Sequence, residues 1–328
     1  MTADSPLVSL ADLRAAAERI AGTCLRTPVV PLVAPDGRVP FAVKAEGLQP
    51  TGAFKLRGAT NAVALLDDEQ RRAGVVTHSS GNHAQAVAYA AHAAGVRATI
   101  VIPETAPAIK VAATRRWGAE IVMVAPSERH ARAEKIAAET GAELIPPYDD
   151  ARVIAGQGTV GLEVVEQVPD LGTVVVPVSG GGLVSGIAAA VKALRPDVRV
   201  VAVEPELAGD LAEGWAAGER RVWSVEDTSR TVADGLRTDS VGVLNWEHIT
   251  AYVDDVVTVS EEEILAAVGV VVRGARLVVE PSGAVAAAAV LAGRVGGGAG
   301  TTVAIASGAN IDPSLLAALV GTQDQTVV

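Results

Sequence analysis

Short unbroken runs of β-branched and aliphatic residues recur along the chain, and alanine-rich segments of helical length lie between them. The runs at 74–77, 98–102, 121–124, 174–178, 198–203 and 302–306 predict strands. Their residues are apolar at consecutive positions and do not alternate, so both faces of each strand are expected to be covered, as in a parallel sheet. The segments at 84–94, 185–194 and 283–292 predict helices, most of them stopped by Gly or Pro. Strands alternating with helices in this way predict an α/β fold. The stretch 171–191 carries no charge, but Pro177 and the Gly180-Gly181-Gly182 run interrupt it, so it reads as strand, glycine turn and helix start rather than a membrane span. A seam at Pro146-Pro147 is the expected domain boundary.

The chain has 328 residues, enough for two domains or one with an insertion. A hydrophobic share of 49% against 20% charged residues excludes disorder over most of it. The net charge of −11 is a poor match to nucleic-acid backbones or anionic membrane surfaces, so neither is expected as a partner. Cys24 is the one cysteine and has no intramolecular disulfide partner, which fits a reducing cytoplasm. The N-terminus lacks a basic flank followed by an apolar core, so no secretory signal is expected.

Candidate chemistry lies in three turns. At 174–183 a valine-rich strand runs into Ser179-Gly180-Gly181-Gly182-Leu183 and then a helix. Spacing alone serves two readings, an ordinary strand–helix turn or an anion cradle of free N–H groups at a helix N-terminus. A literal GxGxxG at Gly156, Gly158 and Gly161 lacks both a preceding apolar strand and a downstream ribose-binding acid, so it reads as a tightly packed helix start. Lys55 stands between Phe54 and Leu56 beside a glycine turn; it is either a surface lysine or a desolvated amine fit to be nucleophile or base. A second strand–helix turn, Ser79-Ser80-Gly81-Asn82-His83, has the polarity to hold a carboxylate. Two anion cradles and such a lysine suggest a phosphorylated cofactor held beside a carboxylate substrate.

These blocks in order, TGAFKLRG at 51–58, SSGNH at 79–83, IAGQGT at 154–159, SGGGL at 179–183, VEP at 203–205 and SGAN at 307–310, span nearly the whole chain. Together they resemble the fold-type II pyridoxal-phosphate enzymes, in the branch of the serine/threonine dehydratases and serine racemases. The resemblance implies a tryptophan-synthase-beta-like α/β fold of two open, twisted, mostly parallel sheets flanked by helices. It implies a large cofactor-binding domain from residues 1–68 and 147–328, and a small mobile domain from 69–146. By the same resemblance Lys55 would carry pyridoxal 5'-phosphate on its ε-amine, with Phe54 against the ring and Asn82 bonded to its phenolic oxygen. Gly180, Gly181, Gly182 and Leu183 would cradle the phosphate, and Ser307 would meet the ring nitrogen. Ser79, Ser80, Gly81, Asn82 and His83 would hold the substrate carboxylate, and Ser80 would serve as an acid on the opposite ring face.

The implied reaction is removal of water and ammonia from L-threonine or L-serine to give 2-oxobutanoate or pyruvate. Serine racemisation is the alternative, and 3-hydroxyaspartate dehydration a further one. The arginine that grips dicarboxylates in racemase-like relatives falls at Ala131, with Arg129 and Arg132 out of register. Replacement chemistry of the cysteine synthase kind is disfavoured, because those relatives carry TSGNT where this chain has SSGNH. A binding module without catalysis is disfavoured by intact Lys55, Ser80 and Ser307. Glu204 and Asp210, six apart around a turn, are either two solvated acids or, with the Ala208 carbonyl, ligands for a magnesium, calcium or manganese ion, as in the racemase-like relatives. A homodimer is expected. The chain stops soon after residue 317, so no C-terminal regulatory domain and no isoleucine feedback are expected.

Overall fold

The apolar runs become the strands of two sheets. The structure, a computed structural model, describes residues 7–33, 41–79, 81–106, 108–296 and 299–321. Among the described residues the strands are β1 (Val29–Leu32), β2 (Phe41–Ala45), β3 (Val75–His78), β4 (Ala98–Pro103), β5 (Glu120–Val124), β6 (Glu143–Leu144), β7 (Leu171–Pro177), β8 (Arg199–Pro205), β9 (Asp255–Val259) and β10 (Thr301–Ala306). Six form one sheet in the order β1-β2-β10-β7-β8-β9, and four form the other in the order β5-β4-β3-β6. Every pairing is parallel except that of the edge strand β1 with β2.

All six runs read as strands are strands. β1, β2, β6 and β9 went unread; β6 has two residues, Pro31 stands inside β1, Lys44 interrupts β2, and β9 carries Asp255 and Thr258. The central strands are covered on both faces, as their unbroken valines require. Val175, Val201 and Val203 pack into one cluster with the helices Glu261–Ala275 and Pro281–Leu291. Val174, Val176, Val200 and Ala202 pack on the other face against the helices Ala151–Gln167 and Gly182–Leu194.

The GxGxxG glycines do pack, but in mid-helix rather than at a helix start. The helix Ala151–Gln167 begins five residues before Gly156, capped by Asp150, whose carboxylate accepts the N–H groups of Arg152 and Val153. A Cβ on Gly158 would stand 2.7 Å from the Gly186 carbonyl, and one on Gly186 would stand 2.4 Å from the Gly158 nitrogen. Glycine at both positions lets these two helices touch backbone to backbone.

A buried charge network fixes the helix that carries Lys55. Arg57, two residues along the helix Lys55–Ala64, donates to both oxygens of Glu46 at 2.8 Å and to both of Glu163 at 2.6 and 2.9 Å. Lys44 of β2 donates to Glu163 at 2.5 Å and to the Thr27 carbonyl at 2.7 Å. The network ties β2, this helix and the helix Ala151–Gln167 into one rigid base. Among the described residues no helix is long and apolar enough to cross a membrane.

Candidate active site

Parallel strands deliver their following loops to one edge, which is where α/β sheets hold ligands. Here the loops after β3, β7 and β10 converge on a cleft of about 300 Å3. Its wall includes Lys55, Asn82, Gly180, Ser307, Glu280 and Arg129.

Lys55 opens its helix, and its Nζ lies 5.1 Å from the Phe54 ring centroid and donates to the Pro147 carbonyl at 2.7 Å. Burial alone, with no carboxylate to oppose it, lowers its pKa to about 8. The Phe54 N–H donates to the Ser307 carbonyl at 3.0 Å, which fixes the lysine loop to the end of β10.

The glycine turn after β7 is shaped by its neighbours. Gly181 has φ +93°, a left-handed conformation that favours glycine. A Cβ on Gly180 would stand 2.2 Å from the Tyr148 ring, so the turn lies flat on that tyrosine. Gly182 and Leu183 open the helix Gly182–Leu194, so their N–H groups have no acceptor within it and carry its positive dipole end. Ser179 also lines the cleft, with its hydroxyl bonded to Thr238 Oγ1 at 2.7 Å.

The turn after β3 opens the helix Asn82–Ala93, again with first-turn N–H groups that lack acceptors within the helix. The Ser79 N–H is spent on the Val101 carbonyl at 3.1 Å, so of the expected carboxylate donors Ser79 offers only its hydroxyl, which already accepts from the Gly81 N–H. Ser80 lies outside the described residues. His83 is buried, and its Nε2 lies 3.0 Å from the Ile145 carbonyl. Burial pushes its pKa down to about 3, so the ring is neutral, Nε2 carries the hydrogen, and the buried Nδ1 lone pair has no protein partner among the described residues. His78 is likewise held down, to about 4, by burial, His130 and Arg129.

Residues 20–308 match the family described as pyridoxal-phosphate dependent enzymes. The chain belongs to that family. It is 46% identical over 284 residues to a serine racemase of Arabidopsis thaliana, covering 85% of this chain and 84% of that one. It is 38% identical over 330 residues to the catabolic L-threonine dehydratase of Escherichia coli K12, covering 99% of each. The structure of maize serine racemase superposes with a TM-score of 0.87 at 40% identity, over 94% of this chain and 95% of that one.

The cleft of this pyridoxal-phosphate dependent enzyme fits its cofactor on its own geometry. Its wall carries both an amine without a countercharge and a glycine turn at a helix N-terminus. Other wall residues, among them Tyr148, Glu280 and Lys110, were not assigned to the site from the sequence. Each comes from an element remote from the glycine motifs, so no local pattern links it to them. Arg129, out of register with Ala131 in the sequence, lines the cleft.

The third expected site lies beyond the turn after β8. Glu204, buried at the end of that strand, accepts the N–H groups of Leu211 at 3.3 Å and Ala212 at 2.9 Å. Asp210 opens the next helix and accepts the Val241 N–H at 3.0 Å. Neither carboxylate is in a salt bridge among the described residues, so they are not solvated surface acids but buried acids without a cation. Burial and the Asp210 charge raise the Glu204 pKa well above the carboxylate range, and burial raises that of Asp210 to about 7. Among the described residues no group of three or more His, Cys, Asp or Glu side chains forms a metal centre, so any ion here would need carbonyl or water oxygens too.

Proposed function

We propose that this enzyme is an ammonia-lyase that converts L-threonine to 2-oxobutanoate, or L-serine to pyruvate, with release of ammonia. The observation that carries this reading is the Lys55 amine, sunk in the cleft with no acidic partner and so available as a base near neutral pH. Pyridoxal 5'-phosphate, when bound, supplies the electron sink that makes the substrate α-proton acidic. Lys55 would hold the cofactor and, once freed by the substrate amine, take that proton. The N–H groups of Gly180, Gly181, Gly182 and Leu183 would receive the phosphate, Phe54 would flank the ring, and Asn82 would donate to its phenolic oxygen. Ser307 would meet the ring nitrogen; a neutral hydroxyl there supports elimination or racemisation over transamination. The Ser79–His83 turn would hold the substrate carboxylate through Asn82 and His83 N–H groups and the Ser79 hydroxyl.

Serine racemisation is the second reading, supported by the relatives that bear that name, and would use Ser80 as the acid on the far ring face. Arg129 on the cleft wall gives dicarboxylates such as 3-hydroxyaspartate a cation to meet. A magnesium, calcium or manganese ion on Glu204, Asp210 and the Ala208 carbonyl would offset the two buried charges and order the turn beside the cleft. We place the protein in the cytoplasm as a homodimer, with residues 69–146 closing over substrate against 1–68 and 147–328.

The test is keto-acid release from L-threonine and L-serine with cofactor and magnesium present, with residual serine resolved by chirality. Rapid keto-acid formation from threonine supports the ammonia-lyase. Accumulating D-serine with little keto acid moves the assignment to the racemase, and no turnover of either substrate overturns both.

A further inference from the structure

A chain of side chains behind the cleft explains how the Asn82 amide is oriented. It begins at the Thr51 carbonyl, which can only accept. Asn310 Nδ2 donates to that carbonyl at 2.9 Å and to Asn82 Oδ1 at 2.7 Å, so both its hydrogens are spent and its orientation is fixed. The Asn82 oxygen must therefore face Asn310, and its Nδ2 faces Glu280, donating to Oε1 at 2.7 Å. One Asn82 N–H remains. The last atom of the chain, Glu280 Oε1, is buried and held by a close backbone approach. A Cβ on Gly308 would stand 2.1 Å from it, and the Glu280 N–H donates to the Gly308 carbonyl at 3.0 Å. A glycine at 308 and a carboxylate at 280 are thus parts of one arrangement, and neither belongs to a substrate or phosphate cradle.

We propose that Glu280 is a positioning residue: with Asn310 it locks the Asn82 amide so that a hydrogen, never the oxygen, faces the ring of the bound cofactor. The proposal rests on the reading that Asn82 meets the cofactor's phenolic oxygen. Without Glu280, the Asn82 Nδ2 loses its buried acceptor and the amide is held from one side only. The other charged groups facing Glu280 are Asp234, which raises its pKa, and Lys110, which lowers it; burial dominates and brings it to about 7. Either protonation state keeps an acceptor oxygen for Asn82, so the lock persists across neutral pH.

The experiment is titration of apoprotein with pyridoxal 5'-phosphate, reading both the dissociation constant and the near-visible absorption bands of the bound form. Glu280→Ala is expected to weaken binding about tenfold and redistribute the bands, because both report on hydrogen bonding to the phenolic oxygen. Glu280→Gln, which keeps an acceptor oxygen, is expected to recover most of both. Asn310→Asp breaks the chain from its other end and should shift the bands in the same way, which covers the case in which Glu280→Ala does not fold. Asn82→Ala separates the two ideas. If it loses the wild-type spectrum while Glu280→Ala and Asn310→Asp keep it, the lock is overturned and the Asn82 contact stands. If Asn82→Ala itself matches wild type, the contact and the lock both fall. Equal damage from Glu280→Gln and Glu280→Ala would assign the effect to charge and overturn the positioning role.

Discussion

The Lys55 amine is the residue whose environment departs furthest from its ordinary one in the direction that chemistry needs. A free lysine near pKa 10.4 is deprotonated in only about one molecule in 2,500 at pH 7; at about 8, roughly one in ten is. Only the unprotonated amine attacks an aldehyde, so the rate at which apoprotein takes up pyridoxal 5'-phosphate should climb about tenfold per pH unit below pH 8 and then level off. Stopped-flow absorbance across pH 6–10 checks this; a rate still climbing steeply at pH 10 would show that burial does not depress the amine. The lysine, the glycine turn, Asn82 and Ser307 were each ambiguous on local sequence and became legible only through the ordered set of motifs and the family it resembles; all of them line the cleft. Glu280 and Tyr148 were not legible, because their significance is only that the fold puts a carboxylate beside Asn82 and a ring under Gly180.

At the scale of elements, the strand reading found the valine- and isoleucine-rich runs and missed strands that a polar residue interrupts, as Lys44 does in β2 and Thr258 in β9. Helix contacts were harder to read, because the glycines that join the helices Ala151–Gln167 and Gly182–Leu194 imitate a nucleotide fingerprint. The charge network under Lys55 was not legible either, since Glu46, Arg57 and Glu163 meet only in three dimensions. Removing Arg57 leaves the fully buried Glu46 without its ion-pair partner, while Glu163 keeps Lys44. Arg57→Ala should therefore cost about 3–5 kcal/mol, read as a lowered midpoint in urea unfolding. A loss below about 1 kcal/mol would mean that water relieves Glu46 and that the network is not what holds the lysine helix. The Glu204–Asp210 pair has the opposite problem, two buried acids whose ionisation no salt bridge supports among the described residues. Calcium, magnesium or manganese should raise the melting temperature of chelator-treated wild type by several degrees, and Asp210→Asn should abolish the effect. An equal rise in the variant would place the ion elsewhere.

For the whole molecule, an ion pair on the cleft wall joins elements that belong to the two sheets. Lys110, on the helix Ala108–Arg115 beside the four-stranded sheet, pairs with Asp234, in the turn Asp234–Leu236 beside the six-stranded one. Both side chains are partly exposed, so the pair is worth at most about 1 kcal/mol, which would shift the proposed closure about fivefold. If substrate binds only the closed form, its apparent affinity falls by the same factor when the pair is lost. Lys110→Ala and Asp234→Asn should each raise KM up to about fivefold with kcat little changed, and the double variant should do no more than either alone. Salt screens an exposed pair, so the KM of wild type should rise with ionic strength between 0.05 and 0.5 M potassium chloride, roughly one Debye length contracting past the pair. The variants should lose that slope. Additive effects, or an unchanged salt slope in both variants, would show that Lys110 and Asp234 act separately and that closure does not depend on their contact.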